Sequence, residues 1–214
     1  MNKKQVVSWE PLRITNDFMF KKVMQDKELC KKLLEVILDV EIVDIHYIVP
    51  EKSISNYIDA KGIRLDVYVK DEKETVYDLE MQICYRGDLP KRSRYYQSSI
   101  DMDLIQSGQG YRKLNKSYVI FICMFDMFGQ ERYKYVFENR CLEDLELELG
   151  DGATKIFLNV NGSVPEDELE LKDLFEYISN NVVKSDFTKG IDDAVNRVNN
   201  NMYSRNLLAR NNYG

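Results

Sequence analysis

Apolar residues fall on a helical period early in the chain and on a strand period soon after. In "RITNDFMFKKVMQDKELCKKLLEVILDV", Phe20, Val23 and Met24 share one face, and Leu29, Leu33, Val36 and Ile37 share another, which predicts two consecutive helices. Thr15 or Asn16 is placed to cap the first and Asp26 the second. "EIVDIHYIV" is β-branched and aromatic and predicts a strand that Pro50 closes. Leu65, Val67 and Val69 then alternate with Arg64, Asp66, Tyr68 and Lys70, the period-two pattern of a half-buried strand. The polar "KDEKE" turns the chain back into "TVYDLEMQI", so an antiparallel hairpin is expected.

Downstream, "LPKRSRYYQSSIDMDLIQ" predicts a helix from Leu89 to about Gln106. Pro90 suits its first turn, Tyr95, Ser99, Met102 and Ile105 share a stripe, and the glycines of "SGQG" end it. "SYVIFICMF" has the length and composition of a central strand buried on both faces. "ERYKYVFENR" and "ATKIFLNV" predict two later strands, "ELELKDLFEYISNNVV" a helix, and "IDDAVNRVNNNMYSRNLLARNNYG" a weakly amphipathic C-terminal helix. Helix, strands, helix and strand in this order read as an α/β or α+β layout.

Composition narrows the class. With 214 residues, 44 % of them apolar, the chain can bury one sizeable core. No apolar run approaches membrane-spanning length and the N-terminus lacks a signal-peptide pattern, so a cytoplasmic protein without a membrane partner is expected. The four cysteines are far apart and never form a C-x-x-C pair, suggesting neither a disulfide framework nor a thiolate zinc site. His46, the single histidine, lies in an apolar strand and cannot build a histidine cluster, and Trp9 reads as a packing anchor. A formal charge of −6 argues against nucleic-acid binding over the whole surface, whereas "LPKRSRYY" and "YRKLNK" concentrate cations locally. The acidic "LEDLELELGD" would repel DNA and is expected to face away from any duplex.

The hairpin carries the strongest chemistry. In "YDLEMQ" the side chains of Glu80 and Gln82 leave the strand on one face, and Asp66 lies on the matching face of the strand before it. In a regular pairing Glu80 lies nearer the far end of its strand than Asp66, so a bulge or an offset strand end is expected to bring them together. Two carboxylates at one spot repel unless a cation joins them. Oxygen donors without His or Cys suit Mg²⁺ or Mn²⁺ rather than zinc, and such an ion can polarise a phosphoryl oxygen and acidify an attacking water. On spacing alone the alternative stands that these residues merely solvate the open face of a hairpin.

Four short motifs in order shift the weight between those readings. "GIRLDVYV" and "VYDLEMQ", with "TNDFMFKKVM" upstream and "RSRYYQSSID" downstream, resemble the recombination-promoting nuclease (Rpn) group, the PD-(D/E)XK nuclease family transposases. The matching positions are Asp17, Phe20 and Lys21; Asp66; Glu80 and Gln82; and Arg94 with Tyr95 and Tyr96, within a resemblance that runs over roughly residues 12 to 125. It implies a restriction-endonuclease-like α/β core, a central mixed sheet flanked by helices, over residues 1–180, with 181–214 a C-terminal helical tail shorter than that of longer members. It further implies Mg²⁺- or Mn²⁺-dependent cleavage of DNA phosphodiesters. Asp66 and Glu80 would hold the metal, with the Met81 carbonyl as a further ligand. Gln82 stands where the wider superfamily has lysine and can still hydrogen-bond a water, without lysine's charge. Asp17 would be a further acidic member of the site or, alternatively, a favourable residue at a helix N-terminus. Lys91, Arg92 and Arg94 would contact phosphates. A catalytically weak or inactive nuclease-fold module that binds DNA or a protein partner is the alternative, and a homodimer belongs to the expectations.

Overall fold

The computed structural model describes residues 10–55 and 61–211, with side chains through residue 204. Asn16 caps helix α1 (Asp17–Val23) through the N–H of Met19, and Asp26 caps α2 (Lys27–Leu38) through the N–H groups of Glu28 and Leu29. Strands β1 (Ile45–Ile54), β2 (Ile63–Asp71) and β3 (Val76–Gln82) follow, then α3 (Leu89–Leu104) and β4 (Ser117–Cys123). The chain continues through β5 (Lys134–Phe137), β6 (Ala153–Asn159), α4 (Leu169–Asn180) and α5 (Asp186–Asn211).

The six strands form one mixed sheet in the order β1-β2-β3-β4-β6-β5. β3, β4 and β6 run parallel and the remaining neighbours antiparallel. A parallel pair needs a crossover, which α3 supplies between β3 and β4. β4 sits between β3 and β6, and Val119 to Ile122 are fully buried, as its unbroken apolar run predicts. One face packs against α1, α2, α4 and the first half of α5, whose Phe187, Ile191, Ala194 and Val195 enter that core. The opposite face packs Leu65, Tyr68, Val119 and Phe121 against Leu89 and Ile100 of α3. The layers are therefore helices, a mixed sheet and a helix, the α/β architecture expected.

Three expectations are corrected. Pro50 does not close β1; the strand continues to Ile54, because β1 is a sheet edge where a missing N–H leaves no ladder bond unmade. β2 departs from the half-buried alternation at Tyr68: Arg64 is exposed and Asp66 and Lys70 partly so, but Tyr68, on the same side of the pattern, is 1 % exposed within the second core. The buried residues of α3 are Leu89, Ser93, Gln97, Ser99 and Ile100; of the expected stripe Ser99 is buried, while Tyr95 and Met102 are exposed. Small and polar side chains displaced the apolar stripe there because this part of α3 lies over a strand face that is itself polar. His46 is exposed on the edge strand, and Trp9 lies outside the described residues.

A turn sets the register on which the site depends. Asp71 Oδ1 accepts the N–H groups of Lys73 and Thr75 at 2.9 and 2.8 Å, and Oδ2 accepts the Tyr77 hydroxyl at 2.7 Å. The first hairpin pair is consequently Lys70 with Val76, and the ladder runs to Val67 with Leu79.

Candidate active site

Continuing that register by one step sets Asp66 opposite Glu80. The turn, which holds residues 72–74 outside the ladder, sets that pairing, and an irregular strand end of the kind expected meets it. The ladder itself stops there. The Asp66 N–H donates to the Glu80 side chain, Oε1, at 3.0 Å. Leu65 packs into one core and Val67 and Val69 into the other, so the strand exchanges faces across Asp66. In β1, Glu51 lies between the pairs Pro50–Val67 and Lys52–Leu65, level with Asp66, and holds a left-handed φ of 56°. A bulky residue in that region is costly, and such strain gathers where function over-determines the backbone.

Charges converge on this break. The buried Lys21 amine, on α1, lies 2.7 Å from Asp17, 3.1 Å from Glu51 and 3.2 Å from Asp66. Asp17 is thus joined to Asp66 through Lys21. On the other side the Arg92 guanidinium donates to Glu80 Oε2 at 3.1 Å and lies 5.2 and 5.3 Å from the ring centres of Phe121 and Tyr96. Gln82 points its amide at the same Glu80 oxygen, at 3.5 Å. Met81 turns its side chain into the main core while its backbone N–H faces the Asp66 carboxylate.

Asp78 is a member of the cluster that spacing along the chain did not single out. It shares a strand face with Glu80 and Gln82, is fully buried, and neither carboxylate oxygen has a hydrogen-bond partner among the described residues. Its parity in "YDLEMQ" was the available signal. Burial above all, then Glu80 and Asp66, hold its carboxyl well above the ordinary range. Burial and then Asp66 push Glu80 up to about 8, Arg92 notwithstanding. Asp66 is also raised by burial, with Lys21 opposing and Asp17 adding to the rise. Burial pulls the Lys21 amine down, but Asp17, Asp66 and Glu51 outweigh it and leave the amine above the usual lysine value. The cluster therefore holds more carboxyl groups than its two cations balance, and burial keeps protons on some of them.

That excess, and the orphaned Asp78 oxygens beside it, fit a site for a hard cation. Among the described residues no three His, Cys, Asp or Glu side chains form a ready-made cage. Asp66 and Glu80 offer a pair of carboxylates, and Mg²⁺ commonly binds one or two carboxylates and completes its shell with water and substrate phosphate. Next to the pair opens a cleft of about 560 Å³ lined by Lys61, Arg64, Lys91, Arg92, Arg94 and Tyr95, among others. Lys91 and Arg94 are exposed there, whereas Arg92 is turned inward onto Glu80. Lys61, just before β2, and Arg64, near its start, carried no mark in the sequence that would have joined them to α3.

Arg92→Met is expected to destabilise the protein by about 3 kcal/mol, the low end for breaking a buried ion pair, because Glu80 can take up a proton. For a chain of this size that lowers the melting temperature by roughly 6–12 °C. Arg94→Met should stay within about 0.5 kcal/mol of wild type, as exposed substitutions do. Equal melting temperatures for the two variants would refute the inward placement of Arg92.

The family model for PD-(D/E)XK nuclease family transposases matches residues 14–180, from just before α1 to the end of α4, and that span includes every residue of the cluster. No curated protein matches the chain. With most of the chain inside the match, and a mixed sheet that brings Asp66 and Glu80 to one point, the chain belongs to the PD-(D/E)XK nuclease family transposases.

Proposed function

We propose that the protein is a divalent-metal-dependent DNA endonuclease of the recombination-promoting, transposase-associated type. Family membership supports a nuclease-type function, and PD-(D/E)XK nucleases generally use divalent metals. The observation that carries the proposal is the meeting of Asp66 and Glu80, with the Asp66 N–H on the Glu80 carboxylate, behind a cationic cleft whose Arg92 reaches Glu80. Asp66 and Glu80 would hold Mg²⁺ or Mn²⁺, with the Met81 carbonyl as a further ligand. When bound, the ion would polarise the phosphoryl group and lower the pKa of a water. Gln82 would orient that water through its amide, and Asp17 would act through Lys21 on Asp66. Lys91 and Arg94, together with Lys61 and Arg64, would take the flanking phosphates, and Arg92 would hold Glu80 in place. Hydrolysis forms a bond from the water oxygen to phosphorus and breaks a P–O ester bond. The water gives up a proton and the leaving oxygen gains one. The proposal includes a cytoplasmic setting and a homodimer.

Supercoiled plasmid incubated with the purified protein and Mg²⁺ or Mn²⁺ should be nicked or linearised, and EDTA should stop the reaction. Intact plasmid under both metals would refute the proposal. One observation favours the second reading, a nuclease-fold module with weak or no catalysis: an uncharged Gln82, 3.5 Å from Glu80, stands where lysine is usual. Calorimetry separates the two. DNA or partner binding without Mn²⁺ binding would favour the module.

A further inference from the structure

We propose that Lys21 is the lysine of this site: a positioning residue that reaches Asp66 from α1 and supplies the positive charge that Gln82 lacks. The inference rests on the nuclease reading and deepens it. Lys21 is 4 % exposed, an unusual setting for lysine, whose amine is normally kept in water. Its amine is held by three carboxylates from three elements: Asp17 on α1, Glu51 on β1 and Asp66 on β2. Two of those contacts come from distorted backbone, the left-handed Glu51 and the broken ladder at Asp66. Simple packing of a lysine stem requires neither distortion.

The balance of charge points the same way. Around the Asp66–Glu80 pair stand Asp17, Glu51 and Asp78, and the cations in contact with the pair are Lys21 and Arg92. Among the described residues, Arg92 pairs with Glu80 and Lys21 is the cation paired with Asp66. A phosphate brought to Asp66 arrives beside the Lys21 ammonium, where a fixed positive charge in a water-poor setting stabilises negative charge gathering on phosphoryl oxygens. A lysine at position 82 would act from β3. Here the same service comes from the first helix, in the spacing of "DFMFK" that sets Asp17 and Lys21 one turn apart.

An ammonium and a metal ion on one carboxylate oppose each other, which makes the role measurable apart from catalysis. Lys21→Met keeps the stem and removes the charge. It should bind Mn²⁺ about tenfold more tightly by calorimetry, while kcat for plasmid cleavage falls about 10²-fold at little change in KM. Lys21→Arg keeps the charge and should stay within a few-fold of wild type in both. A folded Lys21→Met that binds Mn²⁺ no better than wild type, or that cleaves as fast, overturns the assignment. Should Lys21→Met not fold, Lys21→Gln is read against Lys21→Arg on the same two measurements. A wild type that binds Mn²⁺ but does not cleave overturns the nuclease reading instead, and the Mn²⁺ titration alone then decides the pairing of Lys21 with Asp66.

Discussion

Asp66→Ala is expected to lower metal-dependent cleavage of plasmid DNA by about 10³-fold or more without loss of the fold. Stabilisation of transition-state charge by a bound metal is worth several kcal/mol, and each ~1.36 kcal/mol is a factor of ten in rate. Asp66 and Glu80 meet at the broken end of the hairpin ladder, so removal of Asp66 would leave the proposed metal with Glu80 and the Met81 carbonyl alone. The fold should survive for a reason visible in the backbone. The bond that closes the gap comes from the Asp66 N–H, which alanine retains, and the lost side chain takes a negative charge out of an overcharged cluster. A melting temperature at or above that of wild type, with cleavage lost, is the expected pair of results. Equal cleavage by wild type and variant would sink the assignment of the reaction to this site.

Periodicity made the site legible up to the point where a long-range contact took over. Parity placed Glu80 and Gln82 on one face, and local capping chemistry at Asn16 and Asp26 fixed where α1 and α2 begin. Both are properties of neighbouring residues. The meeting of Asp66 with Glu80 depends instead on how many residues the Asp71 turn consumes, and that follows from side-chain bonds to Lys73, Thr75 and Tyr77 which no period reveals. Asp78 has the parity of Glu80 and Gln82, but parity alone did not single it out. Its importance lies in being buried without a partner beneath α3, a tertiary fact. The same cause explains the stripe of α3: a helix covering Asp78 and Glu80 turns Ser93 and Gln97 inward, and hydrophobic spacing cannot predict a polar interior face. Arg92 looked like a phosphate contact because it lies in a basic run, yet its neighbours in space are Glu80, Phe121 and Tyr96. Lys21 stood in a matched motif without a role of its own, and Glu51 carried no mark, until α1 and the β1 edge were set against β2.

The cluster also dictates how stability should vary with pH. A carboxyl whose folded value lies above its unfolded value keeps a proton in the native state that the unfolded chain has released. Between those two values the folded state binds more protons, so stability falls as pH rises. For Glu80 the window runs from the ordinary glutamate value of 4.5 to about 8, and burial is its main cause. Asp66 and Asp78 act in the same direction from 3.8 upward. The carboxyls held low by hydrogen bonds, such as Asp44 and Glu72, lose their stabilising effect only at more acid pH, so they do not mask the trend. The ligand-free protein should therefore be most stable near pH 5, about where the two trends cross. It should lose on the order of a few kcal/mol by pH 8, since a tenfold difference in proton affinity between the folded and unfolded chain is worth ~1.36 kcal/mol. For a chain of this size that loss is roughly 10 °C in melting temperature. Glu80→Gln or Asp78→Asn should flatten the profile by removing one titrating group each, and Mn²⁺ at pH 8 should restore much of the lost stability to wild type but not to Glu80→Gln. A ligand-free melting temperature that stays level or rises from pH 5 to pH 8 would contradict the arrangement, because a partly compensated row of buried carboxylates has to weaken the fold as its protons leave.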